Sequence, residues 1–84
     1  MDYTAFYEWL MNENNMNNRS AKDVLSRCRR VCKILQIENI DSNTSEGLNS
    51  CPEFTNKSMF IKSQLRRAVV LYTTYCNLMR EKNS

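Results

Sequence analysis

Four cysteines, Cys28, Cys32, Cys51 and Cys76, are the side chains of this 84-residue chain best suited to chemistry. Zinc sites draw on CxxC pairs and histidines at set spacings. Here there is no CxxC and no histidine. Cys28 and Cys32 stand i,i+4 on what reads as one helix, a spacing that points both thiols the same way without disulfide geometry. Cys28, Cys32 and Cys76 fall on apolar helix faces, where a free thiol behaves as a small hydrophobe. Neither metal nor cofactor is expected. General acid–base work without histidine needs a carboxylate, amine or thiolate of shifted pKa, yet the acids are scattered, with no helical i,i+3 or i,i+4 carboxylate pair. One glycine cannot build a phosphate-cradling loop. The chain is expected not to be an enzyme and to take no small-molecule substrate.

Charge is the stronger signal. The formal net charge is +3, but it is unevenly spread. Residues 20–35 hold five basic side chains against Asp23, and residues 57–82 hold six against Glu81, whereas the remainder is acidic. Two basic segments among acidic connections suit a partner with a dense negative surface, nucleic acid first. The plain alternative is two solvated helix faces.

These charges sit on a pattern of helices. Apolar content is 42% and charged content 25%, as in ordinary globular domains. A single Gly and a single Pro argue against an all-β fold. No apolar run approaches the ~20 residues of a membrane span, and the N-terminus MDYTAFYEWL does not resemble a signal peptide. The expectation is one cytoplasmic, all-α domain over residues 1–84, a compact bundle of three long helices with room for a short fourth.

The first helix is read over about residues 3–14, with Tyr3, Phe6, Tyr7, Leu10 and Met11 at i, i+3, i+4, i+7, i+8 and Asp2 as N-cap. Trp9 lies at the edge of that stripe. Asn14 or Asn15 ends the helix, since Asn tolerates the left-handed conformation. The second helix spans about 20–36, capped by Ser20 (with Asp23 in a capping box) or by Asn17. Ala21, Val24, Leu25, Cys28, Val31, Cys32 and Leu35 form its apolar sector, opposite Lys22, Ser26, Arg29, Arg30 and Lys33.

Residues 38–56 fit either a short helix over about 45–50, capped by Thr44 or Ser45 and stopped by Pro52, or a loop pinned at Ile40, Leu48 and Phe54. The last helix runs over about 57–81, capped by Thr55, Asn56 or Ser58. Its core stripe is Ile61, Leu65, Ala68, Val69, Tyr72, Cys76 and Met79, with Phe60, Leu71, Tyr75 and Leu78 widening the apolar sector.

From Phe6 the order is F-Y-E-W-L, then E-N-N-M-N from Glu13, then S-x3-V-x3-C-x2-V-x3-L from Ser20 to Leu35. Ile61, Leu65, Ala68, Leu71 and Tyr72 continue as I-x3-L-x2-A-V-x-L-Y. Over about two thirds of its length the chain resembles the N-terminal core-binding (SAM-like) domain of phage integrases and other tyrosine recombinases. Val69 stands where that family has an arginine, so the arginine's role does not transfer. The resemblance implies a helical domain that grips one side of duplex DNA and helps close a clamp. It implies no catalysis here, because the family's catalytic Arg, Lys, His and Tyr belong to a separate C-terminal domain. On this view the chain is an N-terminal piece of a larger protein, or a small relative keeping only the binding half.

The expected DNA contacts are Ser20, through its hydroxyl and the backbone N–H groups of a helix start, and Lys22, Arg29, Arg30, Lys33, Lys62, Arg66 and Arg67 through phosphates. The competing class is a protein-interaction module, in which Phe60, Leu71, Tyr75 and Leu78 receive a catalytic domain or a second copy.

Overall fold

The apolar rows of the sequence become five helices: α1 (Thr4–Glu13), α2 (Asn18–Leu35), α3 (Thr44–Asn49), α4 (Pro52–Thr55) and α5 (Met59–Lys82). The computed structural model describes residues 3–82, and the fold is all-α. The Asp2 cap expected for α1 lies outside the described residues.

Local chemistry sets the helix limits. Asn15 adopts a left-handed conformation (φ 53°) after α1. Asn17 then caps α2, its Oδ1 accepting the Ser20 N–H at 2.8 Å. Ser20 is therefore inside the helix and not its cap, and the Ser20–Asp23 capping box does not form. Gln36 (φ 55°) closes α2, with the Ile37 N–H reaching back to the Cys32 carbonyl at 3.0 Å.

The short α3 is real, but neither Thr44 nor Ser45 caps it. Asp41 accepts the Asn43 N–H at 2.8 Å and the Thr44 hydroxyl, and the Asp41 N–H donates to Thr44 Oγ1 at 2.9 Å. Pro52 does not simply stop a helix. It opens the single turn of α4, where its missing N–H costs nothing. That turn presses Phe54 fully into the core. Ser58 Oγ accepts the Ile61 N–H at 3.2 Å, which sets the start of α5.

Packing centres on α2 and α5. Ala21, Val24, Cys28 and Val31 of α2 meet Leu65, Ala68 and Val69 of α5, all buried. The Cys28 thiol donates to the Ala68 carbonyl at 3.6 Å. Ser20–Arg27 lie beside Phe60–Arg67, and the segment carrying α3 and α4 supplies the crossover between the two helices. Helix α1 folds back on α2, where the Tyr7 hydroxyl donates to Asn18 Oδ1. Its aromatic rings meet α5: Phe6 and Tyr72 are edge to face at 4.9 Å, and Trp9 and Tyr75 lie 5.6 Å apart. Trp9 is half-buried, as its flank position implies.

Burial governs the titration of the groups at this junction. Desolvation, with a smaller contribution from Cys32, pushes the Cys28 thiol up to about 12. Desolvation likewise raises the phenols of Tyr3 and Tyr72. Cys32 and Cys51 are half-buried against the same core, and Cys76 is half-buried. Among the described residues no helix is long and apolar enough to cross a membrane.

Candidate nucleic-acid interface

Because α2 buries one side along its whole length, its opposite side faces outward by geometry alone. Lys22, Arg29, Arg30 and Lys33 are all exposed there. They extend over eleven residue steps, roughly 16 Å of helix. The only acid of the helix, Asp23, turns to the flank facing α5.

One edge of this cationic face continues into a cleft between α1 and α2. Lys22 and Arg29 line it together with Ser26, Thr4, Tyr3 and Tyr7, and its volume is about 540 Å³. The Arg29 guanidinium lies over the Tyr3 ring, 5.5 Å from its centroid. A ring face attracts a cation without neutralising it. Arg29 is thus held in place with its charge still available.

The cations of α5 are arranged differently. The Arg66 guanidinium donates to Asn49 Oδ1 at 2.8 Å and lies 5.2 Å from the centre of the Phe54 ring. It is fastened to the α3–α4 crossover. Lys62 is half-buried; at 100° per residue it shares the flank of Arg66. Arg67 takes the other flank and enters a groove against α2. The expected α5 set is therefore divided, and it does not join the α2 row into one surface. Ser20 lines the same groove as Arg67, with its backbone N–H bound by Asn17 and its hydroxyl in no hydrogen bond among the described residues.

Arg27 was not among the expected contacts, yet it lies in that groove with Arg67. The signal was present as a Ser20–Asp23–Arg27 row at i, i+3, i+7, which marks a second flank of α2 distinct from the Lys22–Arg29–Lys33 face. The apolar surface expected on α5 is likewise not continuous. Leu71 and Tyr75 pack against the core, while Phe60 and Leu78 remain exposed.

No group of three His, Cys, Asp or Glu side chains among the described residues is placed to hold a metal ion. No family model matches the chain, and no curated protein or solved structure matches it.

Proposed function

We propose that this chain binds duplex DNA through backbone phosphates, using the outer face of α2, and that it carries out no catalysis of its own. The observation supporting this is the outward row Lys22, Arg29 and Lys33, with Arg30 at its edge, exposed on the side of α2 opposite its buried face. Along ~16 Å of duplex about nine phosphates are presented, counting both strands. Four cations on one rigid helix can meet four of them, while Ser26 offers a hydroxyl beside the row. The resemblance to the core-binding domain of tyrosine recombinases favours duplex DNA among polyanions and a cytoplasmic setting. Such contacts position the protein without reading sequence.

The test is a titration of a fluorescent duplex at several salt concentrations. Four phosphate contacts give a log–log slope of about −3.6. Replacing Lys22, Arg29, Arg30 and Lys33 with Gln should bring the slope toward zero. The same change at Lys62, Arg66 and Arg67 should alter it by less than about one phosphate contact. Binding that ignores salt, or that is lost equally in both variants, would refute the assignment to α2.

A further inference from the structure

The groove between the N-terminal halves of α2 and α5 has properties that a phosphate surface lacks. It is an open channel of about 450 Å³. Val24 and half-buried Met16 contribute apolar lining, and Phe60, 70% exposed, forms a wall. Met59, its neighbour in sequence, is 75% exposed. Arg27 and Arg67 also line the channel, with Asp23. Among the described residues no hydrogen bond, ion pair or ring contact engages either guanidinium. A large apolar ring thus stands in water beside two arginines that have no partner among the described residues.

We infer that this groove docks an acidic amphipathic helix of a partner protein, its apolar residues against Phe60, Met16 and Val24 and its carboxylates on Arg27 and Arg67. Shape argues for a helix. The groove is lined by about two turns of each helix, Ser20–Arg27 and Phe60–Arg67, which suits a third helix presenting anchors at i and i+3 or i+4. Charge argues for an acidic partner, since two arginines against Asp23 leave the lining net positive. It also argues against a second copy: a two-fold contact sets the same patch against itself, bringing four arginines together around the paired Phe60 rings. Duplex DNA suits the groove poorly, because phosphates gain nothing from Phe60 and Met16 and are repelled by Asp23.

Fluorescence anisotropy of the whole chain with a labelled synthetic helix tests the inference. The probe carries Leu at i, i+4 and i+7 flanked by Glu; one control exchanges every Glu for Lys, and another exchanges every Leu for Ser. The acidic amphipathic probe should bind about ten-fold more tightly than either control, a difference of about 1.4 kcal/mol. Arg27→Gln with Arg67→Gln should weaken it about three- to ten-fold, as expected for two partly exposed ion pairs. Phe60→Ser should weaken it about ten-fold as a central anchor, with an unchanged thermal midpoint because this ring is exposed. Equal binding of the Glu and Lys probes, or indifference to Phe60→Ser, would overturn the inference. So would self-association in sedimentation that Phe60→Ser abolishes, or displacement of the probe by stoichiometric duplex DNA.

Discussion

Helices α2 and α5 carry similar stocks of basic residues, yet the fold uses them differently. On α2 the inner face is buried from Ala21 to Val31, and the charges opposite form one outward row. On α5 the neighbours change along the axis. Its N-terminal half lies beside α2 and the crossover, and its C-terminal half lies under the aromatic side chains of α1. Its cations consequently point into three surroundings: Arg66 at Asn49 and Phe54, Arg67 in the groove, and Arg80 in a cleft with Asp41 and Thr73. Charge density along a sequence does not make a patch. A patch also needs the rest of the helix to be covered uniformly.

The sharpest test of that contrast lies within α5. Leu65 is 2% exposed between α2 and the crossover, and Phe60 is a little more than one turn away. Leu65→Ala should cost about 2–5 kcal/mol through lost transfer energy and the cavity left behind. For a domain of this size that is much or all of its stability. Phe60→Ala should change stability by less than about 0.5 kcal/mol. Urea unfolding followed by circular dichroism reads both, and similar costs for the two would mean that α5 is covered more evenly than the structure shows.

A second measurement probes where the two helices meet. The Cys28 thiol, normally near 9.0, is held up to about 12 by burial beside Ala68. Below pH 9 folded and unfolded chains both keep this proton, so it confers no pH dependence. Between pH 9 and 12 the unfolded thiol ionises and the folded one does not. The unfolded state then binds fewer protons, and stability falls as pH rises. At pH 10 the loss from this group is about 1.4 kcal/mol. Cys28→Ala should remove that part of the alkaline decline while leaving the part due to Tyr3 and Tyr72. An unchanged alkaline slope would place Cys28 outside the junction.

The inner faces were largely legible in the sequence, because a 3.6-residue period over ten or more residues needs no knowledge of neighbours. Phe6, Leu10, Val24, Cys28, Leu65 and Ala68 all lie where that period puts them. Two kinds of feature were not legible. Helix α4 is a single turn, too short for any period, and Pro52 marks a helix stop and a helix start equally well. Phe60, Leu71 and Leu78 share one row on the helical wheel, yet Leu71 is packed and the other two are exposed. The wheel gives an angle, and burial depends on what stands at that angle and at that height. For Arg66 and Arg67 the wheel likewise gives the 100° between them, but not that one meets Asn49 and Phe54 and the other the groove.

The start of α2 supplies a smaller test. Asn17 Oδ1 holds the Ser20 N–H, and the Ser20 hydroxyl takes no part in the cap. Asn17→Ala should cost about 1 kcal/mol, and Ser20→Ala should be within about 0.5 kcal/mol of neutral. The reverse order would restore Ser20 as the cap and move the free N–H groups of α2 one turn along.

The smallest effect separates the two helices most directly. Arg66 and Arg30 are both exposed arginines on basic helices. Arg66 spends its guanidinium on Asn49 and the Phe54 ring, which couples α5 to the crossover. Arg66→Ala should therefore lower stability by about 0.5–1 kcal/mol, a hydrogen bond and a cation–π contact at the surface, and should leave the salt slope of DNA binding nearly unchanged. Arg30→Ala should do the opposite, leaving stability within about 0.5 kcal/mol while reducing the slope by about 0.9, one phosphate contact. Each variant is its partner's control. If Arg66→Ala reduced the slope as much as Arg30→Ala, the crossover side of α5 would belong to the DNA surface, and the contrast drawn between the two helices would fail.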